Sequence, residues 1–284
     1  MKPLKLSFPF ENGDCELLDL EDNSPAVVHT HYFDEMVIVL GGSALHIIGG
    51  KEYPLMRGDA FIVCGNQAHC TKTKSRFHRI VIAYKHELFD DIQKSFENIS
   101  GFRALFIHEP YFRKNYNFKA KLHLSPPQLE KISLFIKQMK EEKDSKRPGY
   151  KFAIEYIFKM IIIELCRYYS EETTPYSKEL LRISAAIDFM EQNFEKEISL
   201  ALLAKEAGMK PINFRRAFRK TTGCTPINYL VRLRIEKAAE MMRKSPSLRV
   251  IEVAMATGFW NSSYFSRKFK QIMEIAPKNY LKKQ

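Results

Sequence analysis

The feature that most constrains this chain is a repeat in its last hundred or so residues. The run SLALLAKEAGMKPINFRRAFRKTTGCTPINYL, beginning at Ser199, recurs in altered form as RVIEVAMATGFWNSSYFSRKFKQIMEIAPKNYL, beginning at Arg249. At an offset of 50, Ala204 matches Ala254 and Gly208 matches Gly258. One residue is then inserted, and at an offset of 51 Phe214, Arg216 and Phe218 match Phe265, Arg267 and Phe269. Pro226, Asn228, Tyr229 and Leu230 match Pro277, Asn279, Tyr280 and Leu281. Nine identities in order with one gap point to duplication of a single structural unit.

Each copy reads as helix, tight turn, helix. The alanine sits where two helices approach closely, and the glycine four residues later permits the turn. The phenylalanines are spaced i, i+4, so each pair shares one buried face. The opposite face is polar and basic: Lys210, Asn213, Arg215, Arg216, Arg219 and Lys220 in the first copy, and Asn261, Ser262, Ser263, Ser266, Arg267, Lys268 and Lys270 in the second. Between them NYLVRLRIEKAAEMMRK forms one amphipathic helix able to fix their separation. Charge follows the repeat. Residues 180–284 carry 20 Lys+Arg against 9 Asp+Glu, whereas residues 1–179 carry 25 against 24. Such asymmetry is the footprint of a nucleic-acid-binding half joined to a neutral one. A recognition helix enters the major groove and its N-terminal side chains reach base edges. Two of them on one chain can read successive grooves about 34 Å apart. The blander reading, a helical bundle with solvated basic faces, does not explain the duplication. The faces differ, arginine-rich in the first copy and Asn/Ser-rich in the second, so two unlike half-sites with a direction are expected, not a palindrome.

The runs GFWNSSYFSRKFKQIMEIAPKNY and NYLVRLRIEKAAEMM, with Arg234 and Ala238 in place, resemble the signature of the AraC/XylS family of bacterial transcription regulators. The resemblance covers about Ile183 to Leu281. It implies an all-helical domain with helix-turn-helix units at about 199–220 and 249–271. It further implies base-reading roles for Ile212, Arg215 and Arg216, and for Asn261, Ser262, Ser263 and Arg267. The chain departs from the pattern at Lys210-Pro211, where many members carry Ser and another polar residue. Proline fits a first helical turn but removes one backbone donor to phosphate.

The first half reads differently. From Val27 to Tyr84 short β-rich runs recur: VVHTHYF, EMVIVL, SALHII, DAFIVC and HRIVIAY. Gly41-Gly42, Gly49-Gly50 and Arg57-Gly58-Asp59 separate them, and Gly-Gly pairs suit tight hairpins. A small antiparallel barrel or sandwich is expected. Two helices follow, Pro126 to Lys143 and Tyr150 to Tyr169, the second apolar on most sides; both are candidates for a dimer interface, the alternative being that they pack on their own barrel. The expected organisation is therefore α+β: an effector-binding and dimerisation domain over 1–170, a linker over 171–179, and the DNA-binding domain over 180–284. The five cysteines show no C-x-x-C spacing, which argues against a disulfide framework or zinc site. No signal-peptide core opens the chain and no run is long and uncharged enough to span a bilayer, so a cytoplasmic protein without membrane contact is expected.

His29-Thr30-His31, then Glu35, Gly41, Gly58 and His69, resemble the paired motifs of the cupin barrel, although the second motif lacks the usual Pro-x-Gly. In cupin enzymes the matching His, His, Glu and His ligate iron or manganese, and the donor set suits such ions. Three readings stand: a pocket that hydrogen-bonds a polar effector without metal, a metal site, or ordinary barrel residues. His46 alternates with Ala44 and Ile48 and either faces the same pocket or faces solvent. The HxH-x3-E start and the glycine-rich hairpin are similar to family members that respond to sugars such as rhamnose. The reading taken forward is a DNA-binding transcription regulator, not an enzyme and without a cofactor. Its effector, with sugars as candidates, binds at His29, His31, Glu35, His46 and His69. Its partners are double-stranded DNA, a second copy of the chain and, for an activator, RNA polymerase. The rivals are a cupin metalloenzyme with a DNA-binding tail and an effector-independent DNA binder.

Overall fold

Alternating Val, Ile, Leu and Phe build the first part of the protein into sheet. The computed structural model describes residues 3–6, 10, 13–22, 27–73, 76–85, 87–88, 96, 99–115, 121–171, 174–245 and 247–282. Among these, strands form two five-stranded sheets. One runs in the order β1 (Leu4–Lys5), β3 (His29–Thr30), β8 (His69–Thr73), β5 (Ser43–Ile48), β6 (Lys51–Met56). The other runs β10 (Leu122–His123), β7 (Asp59–Val63), β4 (Asp34–Gly41), β9 (Phe77–Tyr84), β2 (Cys15–Asp22). Val37, Val39, Phe61, Val63, Phe77 and Val81 of the second sheet pack on Ala44, Ile48 and Leu55 of the first. The alternate residues Met36, Ile38, Ile80 and Ile82 are equally buried, as period-two alternation requires of a sheet covered on both faces.

Of the barrel and the sandwich expected, the described residues form an open two-sheet sandwich, and the cupin-like closed barrel is corrected. No strand pair joins the two sheets among the described residues. The reason is visible at Gly41-Gly42. There the chain leaves β4 in one sheet and enters β5 in the other instead of turning back as a hairpin. Gly49-Gly50 does close the β5–β6 hairpin, with Ile48 opposite Lys51 and positive φ at both glycines (58° and 74°). Five strands escape the sequence reading: the two-residue β1 and β10, and the longer β2, β6 and β8. β2 is rich in acidic residues, β6 carries Pro54, and β8 begins with a histidine. Pro54 is accommodated because β6 is an edge strand. Of VVHTHYF only His29–Thr30 is strand.

A helix over 100–115, also unanticipated, is α-helical at Ser100–Phe102, π-helical over Arg103–His108 and α-helical again over Glu109–Asn115; it is α1. The helices expected after the sheets are present as α2 (Pro126–Ser145) and α3 (Tyr150–Glu171). The Ser125 N–H donates to Gln128 Oε1 at 2.8 Å and starts α2. Phe158 of α3 meets Tyr84 of β9 with ring centres 5.2 Å apart. All five cysteines are free. No described helix is long and apolar enough to cross a membrane.

The chain divides into two compact units after Leu181. The division falls inside α4 (Pro175–Asn193), so most of the stretch expected as a linker is helix. The second unit then runs α5 (Leu200–Glu206), α6 (Pro211–Thr222), α7 (Pro226–Lys244), α8 (Val250–Ala256), α9 (Ser262–Met273) and α10 (Pro277–Lys282).

Candidate nucleic-acid interface and ligand site

In the second unit the i, i+4 phenylalanines decide how α6 and α9 sit. Phe214, Phe218, Phe265 and Phe269 are fully buried. Phe218 meets Tyr229 at 5.5 Å between ring centres and Phe269 meets Tyr280 at 5.4 Å, so the sequence repeat is also a packing repeat. Each buried ring is worth about 1.5–3 kcal/mol, and together they leave the opposite faces to solvent. Lys210, Ile212, Asn213, Arg215, Arg216 and Arg219 are exposed on the first copy, and Asn261, Ser262, Ser263 and Arg267 on the second. Ile212, 80 % exposed, is an apolar side chain held in water. Such a group can meet a thymine methyl in a groove.

The two helix starts differ. Lys210 is the N-cap of α6 and gives no side-chain cap, with Pro211 filling the first turn. At α9 the Tyr264 N–H donates to Asn261 Oδ1 at 2.8 Å, which leaves the Asn261 amide NH2 for other partners. Arg215, Arg216 and Arg219 have no acidic partner among the described residues. The Arg267 guanidinium lies 5.5 Å from the centre of the Tyr264 ring, with Lys268 Nζ at 5.9 Å. The first face thus carries three arginines without acidic partners among the described residues, and the second sets Arg267 and Lys268 beside the Tyr264 ring among short polar groups.

In the first unit His29 and His69 are paired across β3 and β8. Their rings lie 4.3 Å apart, and His31 lies 4.9 Å from His69. Each of the three histidines contacts a carbonyl two residues away through Nδ1: His29 with Val27 at 2.9 Å, His31 with Phe33 at 2.5 Å, His69 with Gln67 at 2.9 Å. A carbonyl only accepts, so Nδ1 carries a proton in all three; a neutral ring presents a lone pair at Nε2, and at His31, against the lowering effect of burial, Glu35 raises the pKa toward the charged form, in which Nε2 is a donor facing the carboxylate. One nitrogen from each ring falls within 4.8 Å of the others. Glu35 reaches His31 Nε2 at 3.5 Å and His69 Nε2 at 3.7 Å, distances too long for good hydrogen bonds. His31 Nε2 is buried without a hydrogen-bond partner. Burial would raise the Glu35 carboxyl, but His31 and His69 outweigh it and hold it far below the usual carboxylate range.

His46 is buried beside this set, its ring 5.5 Å from that of His69. Its Nδ1 meets Thr71 Oγ1 at 3.3 Å, and its Nε2 has no partner. Burial first, then His69, Arg113 and Arg79, keep it neutral. It lines a cavity of about 70 Å³ with Tyr53, Leu55, Phe61, Glu109 and Arg113, while Lys121 stands at the wall. Glu109 and Arg113, one turn apart on α1, form a fully buried bidentate pair. Arg113 also lies over Phe61 at 5.5 Å, and Tyr53 donates to its carbonyl at 3.2 Å. The structure therefore gathers His29, His31, Glu35 and His69, and sets His46 between them and a second group that the sequence reading missed. The i, i+4 Glu109/Arg113 pair was the available signal, hidden because α1 went unread.

Residues 203–283 match the family model described as a helix-turn-helix domain. The HTH-type transcriptional activator RhaR of Mannheimia succiniciproducens is 25 % identical over 90 % of this chain and 87 % of that protein. The HTH-type transcriptional activator RhaS of the same organism is 26 % identical over 96 % of this chain and 97 % of that one. A transcriptional regulator of Chromobacterium violaceum with an AraC-type DNA-binding domain, known from its crystal structure, is 24 % identical over 36 % of this chain and 90 % of that one, with a TM-score of 0.35. With the duplicated helix-turn-helix unit and its solvent-facing basic helices, the matched family model and the likeness to these two activators make residues 203–283 an AraC-type helix-turn-helix domain and the chain a DNA-binding transcription regulator.

Proposed function

We propose that this protein is a transcriptional activator whose first unit binds a small polar effector and whose second unit reads two unlike, directional half-sites. The observation that carries the DNA reading is the pair of exposed faces on α6 and α9, each backed by the same buried phenylalanine ladder. The base-reading set is Ile212, Arg215, Arg216, Asn261, Ser262, Ser263 and Arg267, with Lys210, Asn213 and Arg219 beside them. Selection of bound duplexes from a random pool tests it. A two-part asymmetric consensus is expected, whereas equal binding to all duplexes at moderate salt would leave only a non-specific binder.

For the effector, His46 Nε2 and the Glu109/Arg113 pair offer neutral and charged hydrogen-bonding groups against the Phe61 ring, a combination suited to a hydroxyl-rich molecule of the sugar class. The cavity is smaller than the roughly 300 Å³ at which ligand pockets begin. An effector of sugar size therefore enters by displacing side chains, and its binding changes the packing of α1 against the sheet. Isothermal titration with a panel of monosaccharides checks this; loss of the heat in His46→Leu and Arg113→Met places it in the cavity.

A second reading has its own observation. His29, His31, His69 and Glu35 fit a divalent first-row transition-metal ion. Three tautomers are fixed from outside by carbonyls, as in metal sites generally, and His31 Nε2 is orphaned. Such an ion would supply a Lewis-acidic point for an effector oxygen. Metal content of the purified chain, and its loss in His31→Ala, separates this reading from a metal-free pocket.

The second copy of the chain is proposed to dock on α3, where Phe152, Tyr156 and Met160 stand exposed at i, i+4 and i+8. Sedimentation over a concentration series tests this, and a monomer throughout rejects it.

A further inference from the structure

Arg234 stands midway along α7, the helix that joins the two copies. Its Nε donates to the Phe194 carbonyl and its Nη2 to the Lys196 carbonyl, both at 2.6 Å. Those carbonyls belong to the turn that follows α4, on the side of the first copy. The guanidinium plane also lies 5.8 Å from the centre of the Phe259 ring, the residue after the turn glycine of the second copy. Gly258 itself presses on the same turn. A Cβ there would lie 2.8 Å from the Phe194 and Glu195 carbonyl oxygens and 2.9 Å from Arg234 Cζ. Gly208, its counterpart in the first copy, would place a Cβ with nothing within 4 Å. The close approach is therefore not a property of the repeated turn. It exists only where the second copy meets the first.

A shared helix sets the distance between two modules along its axis. It leaves their rotation about that axis to whatever side contacts they make. Here the side contact is one planar cation donating to two carbonyls of the turn that leads into the first copy and lying over a ring of the second. Charge-assisted bonds of this kind are short and directional, and lysine cannot reproduce the fork. We infer that Arg234 is a positioning residue for two-site DNA recognition: it fixes the rotation of α9 relative to α6, and with it the number of base pairs allowed between the half-sites.

The test uses the full chain and duplexes selected by the wild type. In one series the spacer between half-sites is lengthened or shortened by one and two base pairs; a second set carries each half-site alone. Anisotropy reads binding of wild type, Arg234→Gln and Arg234→Lys, with helix content and melting checked for each. The wild type is expected to lose at least tenfold on a one-base-pair change. Arg234→Gln is expected to lose at least tenfold at the native spacing, to vary less than threefold across the series, and to keep its single half-site affinity within twofold. Arg234→Lys should fall between them, and it carries the test if the glutamine variant does not fold. A folded variant that keeps the wild-type spacing profile overturns the proposal. So does an equal loss on single half-sites, which would make Arg234 a fold-stabilising residue only.

Discussion

Phe214 and Phe218 in the first helix-turn-helix copy and Phe265 and Phe269 in the second are all fully buried, and the ladders they form end on Tyr229 and Tyr280 at nearly the same distance. The helix ends and the surroundings of the turn differ. The first copy starts on an uncapped Lys210, turns at an open Gly208 and ends α6 on Gly223 with φ 80°. The second starts on a capping Asn261, turns at a crowded Gly258 and ends α9 on Glu274 with φ 60°. Duplication preserved the apolar core, which has one good solution, and released the helix ends and the solvent face. Those are where specificity and the junction between copies are built.

The turn glycines give the largest expected contrast. Gly258→Ala combines a left-handed backbone with contacts to two carbonyls that cannot move cheaply, and should cost about 3 kcal/mol or more. Gly208→Ala meets open space and should cost about 1 kcal/mol, from its backbone conformation alone. Denaturant midpoints of the two variants check this, and equal losses would erase the distinction drawn between the copies.

The exposed arginines come next. Arg216→Ala and Arg267→Ala should each cost roughly 1–3 kcal/mol on the native operator and relax preference at one base pair, in different half-sites. A base-substituted operator series measures it. Loss shared by every sequence would move that arginine to the phosphate backbone. The caps should give a smaller difference. Asn261→Ala removes an N-cap and should lower stability by about 1 kcal/mol. Asn261→Ser keeps the cap while removing the amide, so a DNA defect in that variant belongs to base contact alone. Lys210→Ala should stay within about 0.5 kcal/mol in a melt, because no cap is lost there. Smallest of all, Glu274→Gly should raise stability by about 0.5 kcal/mol by relieving a left-handed non-glycine residue at a position where the first copy already has glycine. A fall in the melting temperature would mean that Glu274 serves a contact of its own.

The sequence reading followed wherever the signal was local or repeated. The runs SALHII and EMVIVL gave β5 and the heart of β4, and Ser125-Pro126-Pro127 opened α2. It failed where composition opposed the element. β2 carries four acidic residues in eight, β6 contains a proline tolerated only at a sheet edge, and α1 passes through a π-helical stretch with no clean period. HxH-x3-E and the second motif from Gly58 to His69 brought together His29, His31, Glu35 and His69 as a candidate set, but gave no hint that β3 is only two residues long.

The sequence by itself determined the duplicated unit, the side of each recognition helix that faces the core, and the concentration of positive charge in residues 180–284. These depend on spacings of three, four and fifty residues along one chain, and periodicity records them directly. Only the tertiary structure decided that the strands form two open sheets instead of a barrel. It alone placed Glu109 and Arg113 in the wall beside His46, and carried the guanidinium of Arg234 to carbonyls some forty positions away. A buried polar group takes its partner from whatever backbone the fold brings within about 3 Å, and a backbone carbonyl has no letter in the sequence.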